Sequence, residues 1–262
     1  MLKFLTVAAS YYHQDVGTVL ERSIPPELKG AKGRSSPAKM VRMLRLLPGD
    51  VDRSGLGKVA TRVVLALEDG PRLRSEVVRD TKAARTHLDS LETLGLIEEY
   101  REREYRDLEL DEDLALVNHD IKLTAAQEQA IETIGGNIGT DYTGYLLHGV
   151  TGSGKTQVYL ELVAKALGEG RTALILVPEI ALTPQLMATF SARFGESVAI
   201  LHSALSPGRR FDQWCLIADG SRPIVLGARS AIVAPLSNLG LVIVDEEHET
   251  SFKHEQAPFY SA

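Results

Sequence analysis

From Leu123 onward, short apolar runs alternate with stretches of helical periodicity. The runs are Tyr145–His148, Ala173–Val177, Val198–Leu201, Ile224–Gly227 and Leu241–Asp245. Runs this short, bounded by polar segments, predict strands. Their alternation with amphipathic stretches predicts an α/β fold with a mostly parallel sheet and helices on both faces. Val158, Leu162, Val163 and Ala166 mark the inner face of the helix after the first run. No apolar stretch approaches the ~20 residues of a membrane-spanning helix, so no membrane partner is expected. MLKFLTVAAS at the N-terminus has too short an apolar core for a secretory signal.

The front of the chain has a different texture. Residues 1–28 read as one helix followed by a turn at Pro25 and Pro26, the tail of something larger. Residues 29–57 read as a basic linker. From Lys58, the residues Val59, Val63 and Leu67 form a helical face that stops at Gly70. Ser75–Arg79 predicts a second short helix. Thr81 is the expected N-cap of a third, with Ala84, Leu88, Leu91 and Leu94 facing inward and Gly95 ending it. LIEEYREREYRDLEL then alternates like two strands around a polar tip. Three helices and a ribbon predict a winged-helix domain over 58–116, which would lay its third helix in a DNA groove. Lys82 and Arg85 are the candidate DNA contacts there. Glu98, Glu99, Glu102 and Glu104 mix the field of the ribbon, so protein contact stays open as the alternative.

Charge sharpens this division. The 262 residues carry a net −6. Residues 29–58 nevertheless hold eight cations against Asp50 and Asp52, a local +6 that leaves −12 for the rest. Such a segment is either a phosphate footprint or a solvated linker. A single cysteine, Cys215, excludes an internal disulfide and a multi-cysteine zinc site, and points to a cytoplasmic protein. Seven histidines without ligand spacing add no metal site, so zinc is not expected. Trp214 and Cys215 read as packing residues.

The strongest chemical signal is GVTGSGKT, Gly149–Thr156, between a strand and a helix. It fits the pattern G-x-x-x-x-G-K-[ST]. Gly149, Gly152, Ser153 and Gly154 shape a loop whose N–H groups surround a phosphate. Lys155 reaches the β- and γ-phosphates, and the Thr156 hydroxyl ligates Mg²⁺. LVIVDEEH, Leu241–His248, reads as a buried strand ending at the nucleotide. Asp245 would hold Mg²⁺ and Glu246 would polarise the attacking water. Glu247 and His248 either contact a neighbouring motif or form a solvated strand end. Gln127 suits adenine's edge, while Thr124-x-x-Gln127 is also a capping box. Thr183 with Pro184, and Arg229 with Ser230, follow strands where a DNA phosphate could bind; each also fits a plain strand-to-helix turn. Phe252, Lys253, Phe259 and Tyr260 interleave aromatics with a cation, a pattern that stacks single-stranded DNA or belongs to a core segment.

GVTGSGKT, LVPEIALTPQ, LHSALS, DQW, IVLGARSAIVAPL, GLVIVDEEH and FYSA occur in one order. Together they resemble the primosomal protein N′ family, superfamily 2 DNA helicases of bacterial replication restart. YYHQDVGTVLERSIPPEL, within 1–28, resembles the end of that family's N-terminal DNA-binding domain, and 58–110 resemble its winged helix. The resemblance implies a RecA-like P-loop lobe over 117–262, an ATP-dependent 3′-to-5′ helicase activity, and ATP with Mg²⁺ as cofactors. It implies branched and single-stranded DNA as substrates, with primosome proteins, single-strand binding protein and the replicative helicase loader as partners. Gln127 would fall in the adenine motif, and Thr183 and Arg229 in strand-contact motifs. Phe252, Lys253, Phe259 and Tyr260 would form the aromatic-rich loop coupling DNA to ATP. The family continues past FYSA into further motifs and a second lobe. The chain is therefore expected to be a fragment that hydrolyses ATP poorly alone. Its sheet is expected to lack the strand between the phosphate-loop and DEEH strands. The competing expectation is a non-catalytic module that binds fork DNA or a primosome partner.

Overall fold

Two helices, not one, open the chain: α1 (Leu2–Tyr11) and α2 (Val16–Ser23). The break comes where His13 takes a left-handed backbone (φ 52) and Asp15 caps α2, accepting the Thr18 amide. A single helix cannot contain a left-handed residue and a cap. This computed structural model describes residues 2–24, 39–49, 55–106, 122–150 and 152–252. They form two compact units, one within 1–36 and 107–262, the other within 37–106.

Within 37–106, the expected linker contains a strand. Lys39–Leu46 is β1, followed by α3 (Lys58–Ala66), β2 (Arg72–Leu73), α4 (Arg74–Thr81), α5 (Arg85–Thr93) and β3 (Ile97–Glu104). The sheet order is β2-β1-β3, antiparallel throughout. The ribbon predicted to fold back on itself after α5 instead pairs β3 with the upstream β1; its expected second strand lies outside the described residues. The register explains the choice. Leu46 faces Ile97 at the core end. Lys39 reaches Glu104 at 2.6 Å, Arg45 reaches Glu98 at 2.7 Å, and Arg42 reaches Glu99 at 3.1 Å. The cations of the basic segment and the acids of the ribbon thus complement each other across the ladder. Arg74 adds a second bond to Glu99 at 2.9 Å. Below the sheet, Leu44, Val63, Val64, Leu67, Val77, Leu88, Leu91 and Ile97 form the core. Three helical details differ from expectation. Ala84, expected inward, is exposed and is the N-cap residue of α5. Thr81 ends α4 with its hydroxyl donating to the Val77 carbonyl, so it does not cap α5. Leu94, expected inward, is exposed.

In the larger unit, α6 (Ala125–Gly135), α7 (Lys155–Gly168), β4 (Thr172–Leu176), α8 (Pro184–Phe194), β5 (Val198–Leu201), α9 (Pro207–Ala218), β6 (Ile224–Gly227) and β7 (Leu239–Val244) follow in order. The strands form a parallel sheet, β5-β6-β4-β7. All five residues of β4 are buried, as a central parallel strand requires. One face carries Val158, Leu162 and Val163 of α7 and Phe190 of α8; the other carries Ile217 of α9, Leu205 and Ala231. The small core of Leu5, Ala9 and Val19 takes in Val233, which ends the 3-10 turn Arg229–Val233.

Two predicted strands come out differently. Tyr145–His148 is not a strand, and Tyr145 and Leu146 are exposed. A strand is defined by its ladder, and among the described residues none pairs with this segment. β7, expected to be buried, covers one face only: Leu241 and Ile243 are buried, while Val242 and Val244 are 50% and 38% exposed. As the last strand of the sheet it has a neighbour, β4, on one side. No helix among the described residues is long and apolar enough to cross a membrane.

Candidate nucleotide site

The phosphate loop leads directly into α7. Gly152 and Gly154 both have φ +80, a left-handed backbone that disfavours any residue with a Cβ. A Cβ on Gly149 would also meet the Ser153 hydroxyl at 2.6 Å. The glycines therefore curl the loop so that α7 starts facing it. The helix's first amides lack intrahelical partners and carry its partial positive charge. Lys155, the first residue of α7, donates from Nζ to the Gly149 carbonyl at 3.0 Å and lies 3.8 Å from Glu246 Oε1. Thr156 follows it in the first turn of the helix.

The acids come from the end of β7. The Asp245 amide donates to the Leu176 carbonyl at 2.9 Å, which extends the β4–β7 pairing to the strand's end. Asp245 Oδ1 accepts the Tyr159 hydroxyl at 2.9 Å. Burial and the neighbouring Asp245 charge push the Tyr159 phenol well above its usual range, so it stays a donor. Glu246 has a left-handed backbone (φ 47), uncommon for a long side chain and a form of strain found at functional sites. His248 Nδ1 lies 3.8 Å from its second oxygen. The phosphate-loop lysine and the Asp245 and Glu246 carboxylates therefore share one locality.

Thr156 and Asp245 supply a hydroxyl and a carboxylate oxygen, the donor chemistry of a hard cation that keeps water and phosphate ligands. They fit Mg²⁺. Among the described residues no cluster of three or more His, Cys, Asp or Glu forms a metal cage.

Gln127 is placed beside the loop, yet its amide is already engaged. Oε1 accepts the Thr124 amide at 2.8 Å, completing the capping box of α6, and Nε2 donates to the Ser153 carbonyl at 3.1 Å. The side chain ties α6 to the phosphate loop, and a Cβ on Gly154 would run into it.

The expected DNA residues are dispersed. Thr183 caps α8, with Pro184 in its first turn, and its hydroxyl accepts the Leu186 amide at 3.2 Å. Arg229 donates to the Ser251 carbonyl at 3.2 Å, joining the GARSA turn to the segment after DEEH. Phe252 corrects the sequence reading. It is 3% exposed and packs with Leu174, Leu176 and Leu201, so it cannot stack on a base. Its apolar ring is worth more in that core than in water. Lys253, Phe259 and Tyr260 lie outside the described residues. In the other unit, Lys82 occupies the left-handed turn between α4 and α5, and Arg85 opens α5 3.7 Å from Asp89.

Sequence reasoning overlooked two links. Tyr159 was hidden in an apolar helical face, although its place one turn after Lys155 signals proximity to the loop. The Ser203 hydroxyl donates to the Glu179 carboxylate, connecting LHSALS to VPEIALTPQ. Arg210 supports that link, donating to the His202 and Ser203 carbonyls at 3.3 and 3.1 Å. Burial pushes His202 below its ordinary pKa of 6.5.

The chain is 43% identical over 189 residues to "Replication restart protein PriA" of Bacillus subtilis (strain 168), covering 72% of this chain and 23% of that protein. It is 44% identical over 203 residues to the protein of the same name from Synechocystis sp. (strain ATCC 27184 / PCC 6803 / Kazusa), covering 77% and 24%. With that of Treponema pallidum (strain Nichols), identity is 46% over 140 residues, covering 53% and 21%. The matched stretch is thus about a quarter of the length of these relatives. They carry the resemblance seen in the motifs. Residues 120–261 match the family described as "Type III restriction enzyme, res subunit", and the chain belongs to that family.

Proposed function

We propose that the larger unit is the first RecA-like lobe of an ATP-dependent DNA helicase of replication restart. In this reading, the loop amides and Lys155 hold the β- and γ-phosphates. Thr156 and Asp245 would hold Mg²⁺, which supplies charge neutralisation to the transferring phosphoryl group. Glu246 orients a water and accepts its proton as phosphoryl transfer proceeds. Gln127 fixes the loop from the side and presents the edge of α6 to the adenine. Thr183 and Arg229 lie on turns that follow β4 and β6, where they reach a DNA strand moved in the 3′-to-5′ direction. Lys253, Phe259 and Tyr260 complete the coupling loop by resemblance.

The observation that carries this reading is the 3.8 Å approach of Lys155 to Glu246, next in sequence to Asp245. It supports the reading because it sets Lys155 beside the end of β7, from a separate part of the chain.

The smaller unit is, in the same proposal, a winged helix. Its three helices lie on a three-stranded sheet, and the turn before α5 and the start of α5 present Lys82 and Arg85 to branched DNA. The Arg85–Asp89 pair is exposed and weak, so it does not prevent the arginine from turning to a phosphate. The whole protein would act in a cytoplasmic setting with primosome proteins, single-strand binding protein and the helicase loader.

Lys155→Ala tests the assignment. Mg²⁺-nucleotide affinity, measured with a fluorescent ATP analogue, should fall by at least about tenfold, the loss of a hydrogen bond to a charged group. Salt-dependent DNA binding should persist. Nucleotide affinity equal to that of the unsubstituted chain would overturn the motor reading and leave the binding module.

A further inference from the structure

The Tyr159 hydroxyl donates to Asp245 Oδ1, and this bond joins the helix of the phosphate loop to the acid at the end of β7. The tyrosine is 8% exposed and sits in the core with Val158, Leu162, Leu241 and Ile243, so its ring is fixed by packing on both elements. It lies one helical turn beyond Lys155 and Thr156, the two residues that face the phosphates in the proposed site. A carboxylate has two oxygens and can rotate about χ2 at little cost. A buried donor on one oxygen removes that freedom.

We propose that Tyr159 is a positioning residue for Mg²⁺: its hydroxyl holds Oδ1 of Asp245 so that Oδ2 is turned toward the cation and its water shell. The inference rests on the nucleotide-site reading above. Two features support it. The phenol is the donor and the carboxylate the acceptor in this bond. Asp245 has no further side-chain partner among the hydrogen bonds and ion pairs of the described residues, which leaves Oδ2 for the metal shell. Groups that orient a metal-binding carboxylate in this way typically affect metal affinity by about 10–100-fold.

Tyr159→Phe removes one oxygen and keeps the ring in its core, and is compared with the unsubstituted chain at fixed ATP analogue. The Mg²⁺ concentration giving half-maximal analogue binding should rise roughly tenfold. Analogue affinity in EDTA, which reads the loop and Lys155 alone, should stay the same. The substitution should have no effect on the Mg²⁺ midpoint in an Asp245→Asn background, because the carboxylate it orients is gone. An unchanged midpoint in the unsubstituted background overturns the proposal. Equal losses with and without Mg²⁺ also overturn it, since they indicate packing. If Tyr159→Phe does not fold, Asp245→Asn decides by itself: a Mg²⁺ midpoint that it leaves unmoved removes the metal role that Tyr159 would support. Should the unsubstituted chain bind no analogue at all, the nucleotide reading fails, and this inference with it.

Discussion

The two units are held together by different chemistry. In 37–106, β1 and β3 meet in an eight-residue antiparallel pairing, and their side chains exchange charge along it. Arg42 and Arg74 both reach Glu99, and Arg45 also lies over the Tyr100 ring at 5.2 Å. These partners are partly exposed, so each contributes little energy but helps to fix the register. In the larger unit, β4 has no polar face, and Leu174, Ile175 and Leu176 pack against helices or turns on either side. Stability there comes from apolar burial, and polar residues gather where the strands end. Charge fixes the strand register in one unit; in the other, Lys155, Asp245 and Glu246 gather where the phosphate loop meets the end of β7.

The largest way to sharpen this contrast is Phe190→Ala. Phe190 is fully buried beneath the sheet, and its truncation should cost about 3–5 kcal/mol. Trp214 is the only tryptophan and lies in the larger unit, so urea unfolding followed by its fluorescence reads the loss. A cost below about 1 kcal/mol would mean that the face is loosely packed. Gly154→Ala comes next. It forces a Cβ onto a φ of +80 beside the Gln127 amide, at a cost of about 1–3 kcal/mol in local strain. Nucleotide affinity should fall, and the Trp214 midpoint should drop less than for Phe190→Ala; retained affinity with an unmoved midpoint would show that the loop rearranges freely.

Glu99→Gln should cost less, about 0.5–1 kcal/mol, because the partners are partly exposed. Amide exchange in β1 and β3 should accelerate at low salt, and the difference from the unsubstituted chain should shrink at high salt. A salt-independent effect would point to packing instead of charge. The smallest effect is the pH response of His202. Its folded pKa lies below the ordinary 6.5, so the unfolded chain binds more protons as pH falls through that window. The contribution is present above the ordinary value and is lost as pH drops toward the folded one. His202→Gln should flatten the Trp214-detected stability between about pH 7 and 5. An unaltered slope would place the acid sensitivity elsewhere.

The sequence by itself determined the lobe's main strands, the glycine-lysine loop and the order in which the acids follow it. Ala173–Val177, Val198–Leu201 and Ile224–Gly227 are legible because a buried parallel strand needs a continuous apolar run, and Thr183-Pro184 because a cap is a local hydrogen bond. Pairing is different, because it depends on residues far apart in the chain. The basic segment became β1 because β3 supplies its ladder, with acids set for its cations, and among the described residues no ladder partner lies beside Tyr145–His148. Phe252 carried a pattern suited to DNA but has an apolar ring beside an apolar core, and burial won. Tyr159 reads as one more core residue until the fold places its hydroxyl against Asp245. Local chemistry is written in neighbouring residues; which distant partner satisfies a charge, a ladder or a ring was decided only by the tertiary structure, because those free energies exist only once the partners meet.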